Sequence, residues 1–117
     1  MNNKARHILF ILFAVLAFAA LLYHIIAVVQ PFDATPAWRH TLFMAISTIC
    51  IYGLLKRPSW FIWFFGLLLV QQLYSHGTHF FKLLEDNKIN SVDIAVLLLT
   101  PILFLLLLTD KSNKQKV

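Results

Sequence analysis

Apolar residues run along this chain in four long stretches, separated by short polar or proline-containing breaks. A helix needs about 20 mostly apolar residues to cross a hydrocarbon core of roughly 30 Å at 1.5 Å per residue. The first stretch, 8–29, holds no charge, and the second, 37–55, carries Arg39 and His40 in its first turn. The third, 60–84, turns polar in its later part, and the fourth, 92–108, contains Thr100-Pro101 near its middle. The pattern predicts an all-α chain, 1–117 forming a single transmembrane domain with the architecture of an antiparallel four-helix bundle.

The breaks fit this division. Gln30 to Pro36 cannot continue a helix, because each of its prolines lacks an N–H and restricts the residue before it. Lys56-Arg57-Pro58 closes the second stretch, and Ser59 is the expected N-cap of the third. Glu85 to Asn90 reads as a polar loop, with Asn90 or Ser91 capping the fourth helix. Lys4 and Arg6 before an apolar run containing Ala17-Phe18-Ala19 also resemble a signal peptide. That run continues about ten residues past the cleavage-like site, longer than a usual h-region, so it is expected to remain as a membrane helix.

Composition sharpens the class. Hydrophobic residues make up 60% and charged residues 13% of the chain, with a mean hydropathy of +0.76. Soluble domains run near half apolar and about a quarter charged. A single cysteine, Cys50, excludes an internal disulfide framework and any CxxC pair. The net charge of +5 could suit nucleic acid, but the basic residues sit at chain ends and in short loops, so no nucleic-acid partner is expected.

Those basic residues also set an orientation. Seven of the ten Lys and Arg fall at the N-terminus (Lys4, Arg6), in the second loop (Lys56, Arg57) and in the tail (Lys111, Lys114, Lys116). Positive loops stay in the cytoplasm, so the chain is expected to lie in the bacterial inner (cytoplasmic) membrane, multi-pass, with both termini inside. Tyr52, Trp60 and Trp63 would mark the inner interface, and Tyr23, Trp38 and Tyr74 the outer one.

In this frame the polar residues of the helices gather at one depth. His24 lies late in the first helix, His40 early in the second, Gln71 to His79 late in the third, and Asp93 early in the fourth. All sit roughly 5–15 Å outward of the midplane at 1.5 Å per residue. A membrane offers such groups no partner, so they must face protein, water or a ligand. Ala17, Ala20, His24 and Ala27 form a small-residue stripe that directs His24 at a neighbouring helix. Gln72, His76 and His79 share a face of the third helix, with Gln71, Ser75 and Thr78 beside it. An outward-opening pocket of His24, His40, Gln72, Tyr74, His76, His79 and Asp93 is therefore expected.

Several chemistries fit that set. His76 and His79 have a workable metal-ligand spacing that His24 or His40 could complete, and His24 with His76 could hold a haem. Against this, imidazoles often do no more than bond across helices, and Asp93 in a first helical turn complements the macrodipole without any further role. His24, His40, Tyr74, His76, His79 and Asp93 also contain the parts for acid–base catalysis on a lipid or quinone head group. Nucleophiles are poor, because Cys50 lies in the wrong half and Ser75 has no established base. A small oligomeric transporter or channel is a further alternative, although no continuous polar path crosses the inner half. Thr100-Pro101 reads as a tolerated kink that frees the carbonyl of Leu97.

Trp38-Arg39-His40, Gly53 to Pro58 and Gln71 to Gly77 resemble segments of small bacterial four-helix membrane proteins, and the plan is similar to that of DoxX-like membrane proteins. The resemblance implies fold and location and carries no activity. Small multidrug-resistance transporters share the size, but they carry a glutamate in the first span, where this chain has no acid. The function expected is a ligand-binding or accessory protein of the membrane, with a second copy or another membrane protein as partner. A haem or metal protein, or an oxidoreductase-type enzyme, is the alternative.

Overall fold

A computed structural model describes residues 2–110; the tail lysines used for orientation, Lys111, Lys114 and Lys116, lie outside the described residues. The chain is all-α, with four helices and no strand among the described residues: α1 (Asn3–Val29), α2 (Ala37–Lys56), α3 (Phe61–Glu85) and α4 (Ser91–Leu108). It divides into two compact units, Met1–Arg57 and Pro58–Val117. Each unit is a pair of helices joined by a short loop.

In the first hairpin, Asn2 caps α1 by accepting the N–H of Ala5 at 2.7 Å. That cap lets α1 begin five residues before the apolar run, in the polar segment that precedes it. Pro36 stands at the N-cap of α2, where its missing N–H costs nothing. α2 ends on Arg57 in the left-handed conformation (φ 49°, ψ 55°), whose N–H closes on the Gly53 carbonyl at 2.7 Å. The inward face of α1 runs through Phe10, Ala14 and Ala27, and that of α2 through His40, Ser47, Cys50 and Leu54. These spacings of three and four, or sums of the two, make one helical stripe each.

In the second hairpin the expected cap of α3 moves by one residue. Trp60, not Ser59, is the N-cap, in a helical conformation and with no side-chain cap bond. The turn is closed by the backbone instead, the Phe61 N–H donating to the Pro58 carbonyl at 3.0 Å. At the other end Asn87 takes a positive φ of 56°, and the Lys88 N–H returns to the Leu83 carbonyl at 2.8 Å. Asn90 caps α4, its side chain accepting from the N–H groups of Val92 and Asp93. α4 continues through Pro101. Further along the hairpin, the rings of Phe65 and Phe104 stack with centroids 6.5 Å apart, and a Cβ added at Gly66 would meet Phe104 at 3.4 Å.

The threonines of these helices turn their hydroxyls onto their own backbone. Thr41 donates to the Ala37 carbonyl, Thr48 to Met44, Thr78 to Tyr74 and Thr100 to Val96, at 2.7–3.0 Å. Among the described residues two helices, α1 and α4, are long and apolar enough to cross a membrane.

Candidate functional site

Each hairpin carries a carboxylate bonded to histidine at its loop end. In the first, Asp33 lies in the α1–α2 loop and accepts on both oxygens. His40 Nε2–H donates to Oδ1 at 3.1 Å, and Tyr23 Oη–H donates to Oδ2 at 3.1 Å. The Thr35 N–H also donates to Oδ1 at 3.0 Å, an Asx turn that fixes the carboxylate to its own loop. His40 is buried, with 4% of its side chain exposed against 30% for Asp33. The hydrogen bond from His40, above all, holds the Asp33 carboxyl below its ordinary range.

His40 makes a second contact. Its Nδ1 lies 2.9 Å from Nδ1 of His24 on α1. Two imidazole nitrogens at that distance must have one proton between them. The His24 ring stacks on Phe43 at 5.5 Å between centroids, and the Tyr23 ring packs edge-on against it at 5.1 Å.

In the second hairpin Asp93 occupies the third position after the Asn90 cap and turns its carboxylate toward α3. His76 Nδ1–H donates to Oδ1 at 2.7 Å and His79 Nδ1–H to Oδ2 at 2.5 Å. Only 3% of the Asp93 side chain is exposed, whereas His79 is 52% exposed. A carboxylate only accepts, so it fixes both rings as the Nδ1–H form and leaves each Nε2 as a bare lone pair when the ring is neutral. Buttressing of this kind is what orients imidazoles for ligands.

The residues expected in a single pocket therefore have distinct neighbours. His24 pairs with His40, and His76 and His79 pair with Asp93. Gln72 Nε2 donates to the adjacent Gln71 at 2.6 Å, and Tyr74 is exposed, placed with the surface aromatics. Asp93 stands in the first turn of α4, as expected, and also anchors two histidines, a pairing the sequence did not indicate. Asp33 is the residue that sequence reasoning passed over. The pattern Asp33-Ala34-Thr35 after a proline was a legible Asx-turn signal, but nothing in it named His40.

Among the described residues no group of three or more His, Cys, Asp or Glu could hold a metal ion. The His24 and His40 rings are 5.1 Å apart and bonded to each other, and the two histidines expected to hold a haem, His24 and His76, belong to different hairpins. A cavity of about 300 Å³ lies elsewhere in the second hairpin, lined by Ile62, Trp63, Gly66, Leu67, Phe104 and Leu108, with none of the histidines on its wall.

No family model matches the chain, and neither a curated protein nor a solved structure matches it.

Proposed function

We propose that this chain is a small multi-pass protein of the inner membrane, a four-helix bundle with both termini inside. Its extracytoplasmic side binds a ligand, or a segment of a partner, through histidines buttressed by carboxylates. The observation that carries this reading is the placement of one such cluster at the loop end of each hairpin. Polar groups are expensive in hydrocarbon, so aspartates and histidines within membrane helices mark functional positions by default. Support for the membrane setting comes from α1 and α4, whose apolar surface is mostly exposed. A soluble protein would bury it. The charge asymmetry of the loops points the same way.

The chemistry available is that of a hydrogen-bond acceptor. With Asp33 and Asp93 fixing the proton on the carboxylate side, the outward nitrogens of His24, His76 and His79 are free to accept from a hydroxyl or ammonium. Native mass spectrometry of the full-length protein, taken directly from membranes, tests the reading. A small adduct is expected on the wild type and on His7→Leu, and is expected to be lost in His76→Leu and His24→Leu. An unadorned wild type, or an adduct indifferent to those two substitutions, overturns it. Reporters add a second arm: one fused after Val117 should be cytoplasmic, and one inserted at Asn87 extracytoplasmic.

A further inference from the structure

The first hairpin holds a file of groups that does more than tie two helices together. We propose that His24, His40 and Asp33 form a proton relay, a general-base site that takes a proton from a weakly acidic donor at His24 Nε2 and stores the charge at His40. The inference stands on the first hairpin alone and does not depend on the identity of any ligand.

The direction of the file follows from donors and acceptors. Asp33 accepts from His40 Nε2–H at 3.1 Å, which leaves Nδ1 of a neutral His40 bare. That nitrogen, 2.9 Å from His24 Nδ1, must then accept a proton-bearing His24 Nδ1. His24 Nε2 is left as the lone pair at the end of the file, with no hydrogen bond among the described residues. Every N–H in the series points toward the carboxylate.

Proton transfer balances without any other reactant. The donor's bond to hydrogen breaks, its electron pair stays with the donor, and a new N–H forms at His24 Nε2. The His24 Nδ1–H bond breaks as a His40 Nδ1–H bond forms. His24 ends neutral as the other tautomer, and His40 ends as an imidazolium hydrogen-bonded to Asp33. The reverse sequence discharges the site. In a surrounding of low dielectric, the cation is tolerated because it forms beside a carboxylate. Asp33 is a positioning residue here, held in turn by Tyr23 and by the Thr35 N–H. The titratable groups around the pair are Tyr23 of α1 and Asp33 of the loop, and the stacked face is supplied by the apolar ring of Phe43 on α2.

The arrangement differs from an ordinary structural histidine pair in being one-directional and in ending on an unbonded nitrogen.

Nitrogen NMR of the full-length protein, labelled with 15N-histidine in detergent micelles, tests the relay. In the wild type a through-hydrogen-bond N–N coupling is expected between His24 Nδ1 and His40 Nδ1. On acidification the first proton taken up should convert His24 Nε2 and His40 Nδ1 together, in one step. His24→Phe, which preserves the stack on Phe43, should abolish that joint step and slow exchange of the His40 ring protons with solvent. Should that variant fail to fold, His24→Gln serves the same purpose, and the wild-type coupling needs no variant. Asp33→Asn, which can donate to His40 Nε2, should release the fixed tautomer and shift both His40 nitrogens toward an average of protonated and bare. Absence of the N–N coupling, separate protonation of the two rings, or unchanged His40 exchange in the His24 variant each overturns the relay. These outcomes are independent of whether His76→Leu removes an adduct.

Discussion

The guanidinium of Arg57 lies 4.7 Å above the centre of the Phe10 ring. The last residue of the first hairpin thus covers a side chain from the beginning of α1, closing the end opposite Asp33. Phe10 is itself almost completely buried. Removing the ring should be far more costly than altering the cation. Phe10→Ala should destabilise by about 3–5 kcal/mol, as large-to-small changes of buried aromatics do. Arg57→Lys keeps a charge but loses the flat stacked plane, a change of about 1 kcal/mol. Thermal unfolding of the purified protein reads both, and an equal or larger effect for Arg57→Lys would contradict this account.

Asp93 should dominate the stability of the second hairpin's cluster. Asp93→Ala leaves two imidazole N–H groups without their acceptor and should cost about 1–3 kcal/mol, as orphaning a buried hydrogen-bonding group does. His79→Gln should cost much less, because that ring is half exposed. His76→Gln belongs between them. An unfolding series in which His79→Gln is the worst of the three would disprove the ranking.

The loop tether has a defined acid limit. Asp33 is held below its ordinary value of 3.8, chiefly by the hydrogen bond from His40. A carboxyl whose folded value is lowered contributes fully above the unfolded value and loses that contribution as pH falls through the folded one. Hydrogen exchange of the Thr35 N–H, corrected for intrinsic rate, should therefore stay protected from neutral pH down to about 4. Protection should fail only in stronger acid, and Asp33→Asn should remove this acid step. Loss of protection near pH 6 in the wild type would assign control of the loop to another group.

Asn90 bonds the N–H groups of both Val92 and Asp93 and so sets where α4 begins. Asn90→Ala should cost about 1 kcal/mol, and Asn90→Asp or Asn90→Ser close to nothing. Because the Asp93 N–H is itself bonded to the Asn90 side chain, the alanine variant should also loosen the His76 bond. A His76 nitrogen resonance unchanged in Asn90→Ala would separate the cap from the cluster.

The four helices were legible because apolar runs and proline breaks act locally. The one large shift in the bounds, five residues at the start of α1, came from capping at Asn2, and at Trp60 backbone closure replaced the expected serine; the remaining differences are single residues. The histidines stood out in sequence because imidazole is conspicuous in an apolar run. Their pairings did not, since a pairing depends on how two helices are rotated against each other. Asp33 shows the gap most clearly. It lies in a loop without periodicity, and its partner His40 sits on the far side of Pro36, where no helical spacing relates them. Asp93 was visible as a helix-start acid, but its anchoring of two rings required the α3–α4 register.

The hydroxyls of Thr41 and Thr48 bear on how α2 should be counted. Hydropathy is assigned by residue type, which charges every threonine with an unpaired hydroxyl, and His40 with an unpaired ring. In α2 those hydroxyls are already spent on the carbonyls of Ala37 and Met44, and His40 is buried against Asp33 and His24. What each threonine has left to show its surroundings is mainly a methyl group. Counted atom by atom rather than letter by letter, α2 is a greasier rod than its spelling suggests.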